Sequence, residues 1–491
     1  VCAGCASMAG PNAAQEPTPN PGTASSPEAQ VPAPAAASAQ AKGPSDAEKA
    51  PITASSGRVG LDSLNPDQTI RFDAPDAKRD LWQRIRAGYG LADLQNPQLV
   101  SNSQQWYAAR PDYVQRMTTR GARYLFHIVE EVDRRKLPTE LALLPFIESA
   151  FNPQALSTAK ASGMWQFMPA TGRDFSLRQN AFRDDRRDVL ASTRAALDYL
   201  TRLHAQFGDW HLALAAYNWG EGNVQRAIQR NQRAGLPTDY ESLRMPDETR
   251  RYVPKLLAVK NIVMQPEAFG LSLPPLENHP YFLTVPIERD IDVAVAARLA
   301  GMDEAEFAAL NPQHNKPVIL AAGTPHILLP YDNAERYLAE LDRHKGALAS
   351  WTAWVAPRTL RTADAAKLIG MEESRLRDVN RIPKGMMIRQ GSALLVPRHG
   401  RHNHDVSEQV ADNGTISLQR ETVPKAKTAA NSKAKTSAKS SNTKTQVAAA
   451  KGSPQASTKA ATGAGKGSAG GSGTAQPKTR VATGTEATVR R

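Results

Sequence analysis

Glu148 lies in the stretch LALLPFIESAFNP, where Leu141, Leu144, Ile147 and Phe151 surround it at helical spacing. A carboxylate among such neighbours loses its water, and desolvation disfavours the charged form. Its pKa is therefore expected to rise, so that it keeps a proton near neutrality as a general acid must. The Asn152–Pro153 pair is expected to end the helix just beyond, leaving the side chain at a helix end that can open into a cleft. On its own, the segment also fits an exposed position of an amphipathic helix.

Three further clusters follow. Gly163-Met164-Trp165-Gln166-Phe167-Met168-Pro169 sets one amide in a bulky apolar run, a combination suited to gripping a sugar amide against a hydrophobic wall, or to plain core packing. Ala215-Ala216-Tyr217-Asn218-Trp219-Gly220 puts a phenol and a carboxamide at a helix end. Glu248-Thr249-Arg250-Arg251-Tyr252-Val253 opens another helix with an acid and a second tyrosine. Either of these alone also fits a capped helix that packs its aromatic inward.

The elements that must hold these residues are helical. Leu81, Ile85 and Tyr89 share a face, and Tyr113, Met117, Tyr124, Ile128 and Val132 recur at spacings of three, four and seven before Pro138. Helices are expected from Leu190 to Phe207, stopped by Gly208, and from Trp210 to Trp219, stopped by Gly220. Two more are expected from Val224 to Ile228 and from Arg250 to Met264, before Pro266. With little strand signal, residues 137–270 read as all-α.

Beyond Pro274 short β-like runs flank helices, and a repeat emerges. Gly301-Met302 leads to Asn311, and Gly370-Met371 leads to Asn380, an offset of 69 residues. Each copy then reaches a glycine and an apolar strand ending in proline, Gly323 to Pro330 and Gly391 to Pro397. Two copies of one small α+β unit account for this.

The ends differ in kind. Residues 1–57 are rich in Ala, Pro, Ser and Gln, and the region from 401 in Lys, Ala, Ser, Thr and Gly, so neither is expected to offset its own ordering entropy. All 29 aromatics lie between Phe72 and Trp354. The net charge of +13 is concentrated too: residues 401–491 hold 15 Lys and Arg against 5 Asp and Glu. The high pI thus reports a tail rather than a nucleic-acid-coated fold. Such a tail is a solvated linker or holds an anionic polymer through counterion release, and for an exported protein the cell wall is met before nucleic acid.

No apolar run approaches the length of a membrane helix; the most apolar is Leu141 to Ile147. The cysteines, Cys2 and Cys5, fall short of the four ligands of a closed zinc site. Ala3-Gly4-Cys5-Ala6-Ser7 instead looks like the end of a bacterial lipoprotein signal, with Cys5 as the lipidated residue, although Cys2 stands where Leu is usual. His399, His402 and His404 are treated as chance neighbours, so no metal is expected.

Taken in order, Glu148-Ser149, GMWQFMP, AAYNWG and ETRRYV resemble the motifs of the goose-type lysozyme and soluble lytic transglycosylase family. The Trp165 variant, the helical region ahead and the repeats behind are similar to its membrane-bound murein-cleaving members, over roughly residues 70 to 400. The resemblance implies cleavage of the β-1,4 bond between N-acetylmuramic acid and N-acetylglucosamine in peptidoglycan. It implies Glu148 as the acid/base, Ser157 hydrogen-bonded to it, and Tyr217 beside it in the cleft. Asn218 and Glu248 would support the site. Gln166 would contact sugar, with Met164, Trp165, Phe167, Trp219 and Tyr252 as further substrate-binding positions. The repeat resembles LysM, a βααβ module that holds N-acetylglucosamine polymers, but Pro286-Ile287-Glu288 and Ala356-Pro357-Arg358-Thr359-Leu360 replace its usual Gly-Asp-Thr opening. That leaves retained glycan affinity open.

Hydrolytic glycosidases generally pair two carboxyls about 5 to 9.5 Å apart. After Glu148 the next acid is Asp174, and no second catalytic carboxylate stands out. A transglycosylase needs none, because the same sugar's C6 hydroxyl attacks in place of water, and entropy favours that internal closure. A hydrolytic muramidase and a non-catalytic wall-binding protein are the alternatives. The expected architecture is multidomain: a lipobox-like N-terminus and tether (1–57), a helical region (58–136), an all-α lysozyme-like catalytic domain (137–270), two α+β LysM-like modules (275–345 and 346–400) and a disordered basic tail (401–491). No cofactor, a monomer, peptidoglycan as partner, no specific nucleic acid, and the periplasmic face of the outer membrane complete the expectation.

Overall fold

Asp80, Asp188 and Asp209 mark where the first half of the chain turns helical. Each carboxylate accepts a backbone N–H that the following helix leaves unpaired, from Trp82 at 3.1 Å, Ala191 at 2.7 Å and Leu212 at 2.8 Å. Such caps contribute about 1 kcal/mol each. The computed structural model describes residues 75–421 and the backbone of two short antiparallel strands, β1 (Val59–Leu61) and β2 (Thr69–Arg71). Cys5, the tether before residue 58 and the tail beyond residue 421 lie outside the described residues.

The helices in order are α1 (Leu81–Ala87), α2 (Gln98–Ala108), α3 (Pro111–Gly121), α4 (Leu125–Arg134) and, after a 3-10 turn at Thr139–Leu143, α5 (Leu144–Ser149). Then come α6 (Pro169–Asp174), α7 (Val189–Phe207), α8 (Trp210–Trp219), α9 (Glu221–Arg233), α10 (Asp247–Arg250) and α11 (Tyr252–Met264). Gly208 and Gly220 end α7 and α8 with positive φ, as their positions predict. The break near Pro138 is also where it was expected, but residues 113–132 form two helices and not one, because the chain turns at Gly121–Tyr124.

One hydrophobic core runs from Leu81 through Phe146, Leu200 and Leu256 to Leu276 and takes in Phe282, Leu310 and Leu328 beyond it. The expected boundary at 136/137 is therefore not a domain boundary: α1–α4 bury their apolar faces in the same core as the helices behind them. α2 packs against α11, which brings the N-terminal helices to the site.

The two repeats are two units of one plan, a helix pair flanked on each side by two short strands. The first comprises β3 (Leu283–Pro286), β4 (Ile291–Asp292), α12 (Val293–Ala300), α13 (Glu304–Leu310), β5 (Val318–Ile319) and β6 (His326–Leu329), and is followed by α14 (Tyr331–Arg343). The second comprises β7 (Trp351–Val355), β8 (Leu360–Arg361), α15 (Thr362–Ile369), α16 (Glu373–Asn380), β9 (Met386–Ile388) and β10 (Ala393–Pro397). In each, the outer strands pair antiparallel, β3 with β6 and β7 with β10, as do the short inner ones. The 69-residue offset has a physical meaning. Asn311 accepts from Leu328 N at 2.8 Å and donates to Leu328 O at 2.9 Å, while Asn380 does the same with Leu395 at 2.8 and 2.9 Å. One buried amide thus staples the second helix to the last strand in both copies.

Disorder was expected from residue 401, and the residues up to 421 correct it. α17 (Glu408–Asn413) and β11 (Leu418–Arg420) follow the second unit, and β11 adds to β9. Val406 and Ala411 share a small core with Phe182, Val318 and Leu395. Asn180 Nδ2 donates to the carbonyls of Ala411 and Asp412 at 2.8 and 2.9 Å, tying this segment to the helical part. A few apolar anchors and backbone hydrogen bonds order a segment whose composition reads as polar.

Candidate active site

Glu148 stands one residue before the end of α5 and is 5% exposed. The helix ends earlier than Asn152–Pro153 suggested, because Ala150 and Phe151 both take positive φ, at 50° and 55°. Gln166 does too, at 49°. Left-handed backbone costs about 1–2 kcal/mol per non-glycine residue, and three such residues around one carboxyl mark a site whose geometry the surroundings enforce.

Burial pushes the Glu148 carboxyl up to about 7; the Tyr252 hydrogen bond pulls it down, the Glu248 charge pushes it up, and the Lys255 charge pulls it down. The Tyr252 hydroxyl donates to Glu148 Oε1 at 2.5 Å. Glu148 lines a cavity of about 990 Å³ together with Ser149, Ser157, Gln166 and Lys255, Trp106 of α2, Arg110 just ahead of α3, and Tyr113 and Arg116 of α3. Trp106 and Tyr113 meet edge to face at 5.4 Å between ring centres.

The loop carrying Gln166 is locked from behind. Gly163 has φ of +85°, and a Cβ there would stand 1.9 Å from Arg186 O. The Gln166 amide donates to Gly163 O at 2.8 Å, and Ser149 Oγ donates to Met164 O at 2.9 Å, so the end of α5 and this loop move as one. Tyr217 Oη donates to Trp165 O at 2.8 Å.

The sequence-predicted residues divide accordingly. Glu148, Ser157 and Gln166 share the cavity. Ser157 Oγ accepts from Ala161 N at 2.9 Å, holding the turn that forms one rim. Glu248 is exposed, near enough for its charge to act on Glu148. Tyr217 is corrected: it is not among the cavity-lining residues but buried against Tyr199 and Phe167, bracing the Gln166 loop. Met164, Trp165 and Phe167 are corrected from substrate-binding to core, and Trp165 Nε1 donates to Thr193 Oγ1 at 3.1 Å. Trp219 packs half-buried on the same core, outside the cavity lining. Tyr252 is also corrected, from substrate contact to the partner of Glu148. Asn218 is buried and accepts from Thr249 Oγ1 at 2.8 Å, which fixes α10 just ahead of Tyr252.

Sequence reasoning missed Ser149 as a tie, Lys255 on the cavity wall, and the whole face from α2 and α3. Lys255 follows Tyr252 by three residues, one helical turn, and that spacing was the available signal. Among the described residues no group of three or more His, Cys, Asp or Glu is placed to hold a metal, and no helix is long and apolar enough to cross a membrane.

Known proteins resemble both the helical part and the first repeat unit. Residues 127–236 match the transglycosylase SLT domain, and residues 281–346 match the LysM-like domain of lytic transglycosylase MltD. The chain is 34% identical over 336 residues to membrane-bound lytic murein transglycosylase D of Escherichia coli K12, covering 66% of this chain and 73% of that one. It is 36% identical over 103 residues to membrane-bound lytic murein transglycosylase F of Alcanivorax borkumensis, covering 19% and 21%. Among solved structures, lytic transglycosylase Slt of Pseudomonas aeruginosa is 27% identical, covering 29% of this chain and 24% of that one, with a TM-score of 0.22.

Proposed function

The chain belongs to the lytic murein transglycosylase family, in the branch of the membrane-bound transglycosylase D, and from that membership we propose that Glu148 cleaves peptidoglycan by lending and then retrieving one proton. Membership itself makes the protein a peptidoglycan-cleaving enzyme. The proposal concerns how it does so. Protonated Glu148 gives its proton to the oxygen leaving muramic acid C1, the C1–O bond breaks, and the muramic N-acetyl oxygen steadies the cationic centre. The glutamate then removes the proton from the same sugar's C6 hydroxyl as that oxygen bonds to C1, closing a 1,6-anhydro ring.

The observation that carries this reading is a buried carboxyl, poised at about 7 by loss of water and held by one phenol, on the wall of a cavity large enough for a sugar. Asp112 also lines the cavity and Glu248 acts on Glu148 through its charge, but both are exposed where Glu148 is buried. Gln166 supports the sugar amide, and Asn218, through Thr249, supports the turn that carries Tyr252. We place the enzyme in the cell envelope as an outer-membrane lipoprotein anchored through Cys5, acting as a monomer.

Mass analysis of muropeptides released from purified sacculi tests the reaction. Ends lighter by one water are expected; reducing ends would assign a hydrolytic muramidase instead. Glu148→Gln is expected to abolish release with an unchanged circular dichroism spectrum, and retained turnover would remove Glu148 from the mechanism.

A further inference from the structure

Lys255 is 9% exposed, lines the cavity that holds Glu148, and makes neither an ion pair nor a hydrogen bond among the described residues. The other well-covered lysines differ. Lys316 donates to Val379 O at 2.7 Å, and Lys260 pairs with Asp93 at 3.2 Å. The aliphatic part of Lys255 is covered while the residue opens on the cavity, where a ligand carboxylate can take the place of water in a charge-assisted hydrogen bond. The Lys255 charge acts on Glu148, yet the two form no ion pair among the described residues, and Tyr252 donates to Glu148 Oε1.

The rest of the cavity has the same sign. Apart from Glu148, the lysine, arginine and acidic residues of its lining are Lys255, Arg110 and Arg116 against Asp112 alone. The Arg110 guanidinium lies 4.4 Å over the Trp106 ring, and Arg116 is exposed without an ion pair among the described residues. The sugars of a glycan strand are neutral. Its negative charge sits on the peptide stems that muramic acid carries through its lactyl group.

We propose that Lys255, which shares the cleft with Arg110 and Arg116, binds a carboxylate of the peptide stem and so makes the enzyme prefer glycan whose stems carry free carboxylates. This rests on the assignment of the cleft to peptidoglycan and adds which part of it the cleft reads.

The test is binding to the full chain carrying Glu148→Gln, so that turnover does not enter. Strands solubilised from sacculi with their stems are compared with the same strands whose stem carboxyls have been converted to methylamides, because cutting the stems off at the lactyl amide would leave a carboxylate on every muramic acid. Strands with free stem carboxylates are expected to bind about tenfold more tightly. That ratio is expected to collapse towards one in Lys255→Met, return in Lys255→Arg, and fall partway in Arg116→Gln, a surface change that cannot unfold the core. Equal affinity for both strands, or equal weakening of both by Lys255→Met, overturns the proposal. Failure of the catalytic assignment shows separately, as the absence of anhydro ends from the unsubstituted enzyme.

Discussion

Tyr252 Oη lies 2.5 Å from Glu148 Oε1, a hydrogen bond between two side chains 104 positions apart, both withdrawn from water. The phenol donates, so it favours the charged carboxylate and opposes the upward push of burial. An acid that must also serve as base needs both influences.

Removing that hydroxyl gives the first prediction. In Tyr252→Phe the lowering influence is lost and the Glu148 pKa moves above about 7. Since the first step needs the protonated form, the alkaline limb of the pH–rate profile is expected to move to higher pH. The second step loses its stabilised glutamate, so the maximal rate is expected to fall about tenfold. A pH profile of anhydro-end formation reads both, and an unmoved limb would detach Tyr252 from the proton.

Stability should depend on pH through the same carboxyl. Its folded-state pKa of about 7 lies above the ordinary 4.5, so folding is unpenalised below 4.5 and loses stability as pH rises through 7. The loss amounts to about 3 kcal/mol once Glu148 is fully ionised. Glu148→Gln never ionises and still offers Tyr252 an acceptor. Urea unfolding is expected to show the variant as the more stable protein at pH 8, with no such gain at pH 4; a gain independent of pH would contradict the buried, raised carboxyl.

Gly163→Ala is expected to be far worse than Gly208→Ala, although both glycines have positive φ. At Gly208 a Cβ meets nothing within 4 Å, so the cost is backbone strain of about 1 kcal/mol. At Gly163 it would stand 1.9 Å from Arg186 O, which is backbone and cannot swing away. A loss on the order of 3 kcal/mol is expected, with displacement of Gln166, whose amide rests on Gly163 O. Melting temperatures and cleavage rates of the two variants, side by side, decide this.

What could be read from the sequence was local. Glu148 betrayed itself by apolar neighbours on its own helix, α7 and α8 by the glycines that stop them, and the repeat by Asn311 and Asn380. What could not be read was which side of an aromatic faces substrate. Trp165 and Tyr217 sit in motifs beside the cleft, yet each spends its polar atom inside the core, on Thr193 and on the Trp165 carbonyl. The part of the lining from α2 and α3 was hidden for another reason: Trp106 reaches the site on α2, which packs on α11, and Tyr113 on α3, which packs on α2 and α5, and the first of these contacts joins segments about 150 residues apart that no local periodicity encodes.

The segment after the second repeat offers the last prediction. A chain ended at residue 400 follows the boundary that composition suggests, but it strips β11 from β9 and removes Val406 and Ala411 from the core they share with Phe182 and Leu395. It also takes away Val406 N, which donates at 2.8 Å to Asp290, a buried carboxylate that also accepts from Ala321 N at 3.0 Å and pairs with Arg398 at 3.0 Å. Uncovering that apolar surface and an ion pair together is expected to cost about 3 kcal/mol or more relative to a chain ended at residue 421. Thermal unfolding of the two truncations should therefore differ by several degrees. The shorter chain should lose first the protection of Leu395 and Val318 amides in hydrogen exchange, since these flank the vacated core. Equal melting of the two would mean that residues 401–421 lie on the second unit without holding it.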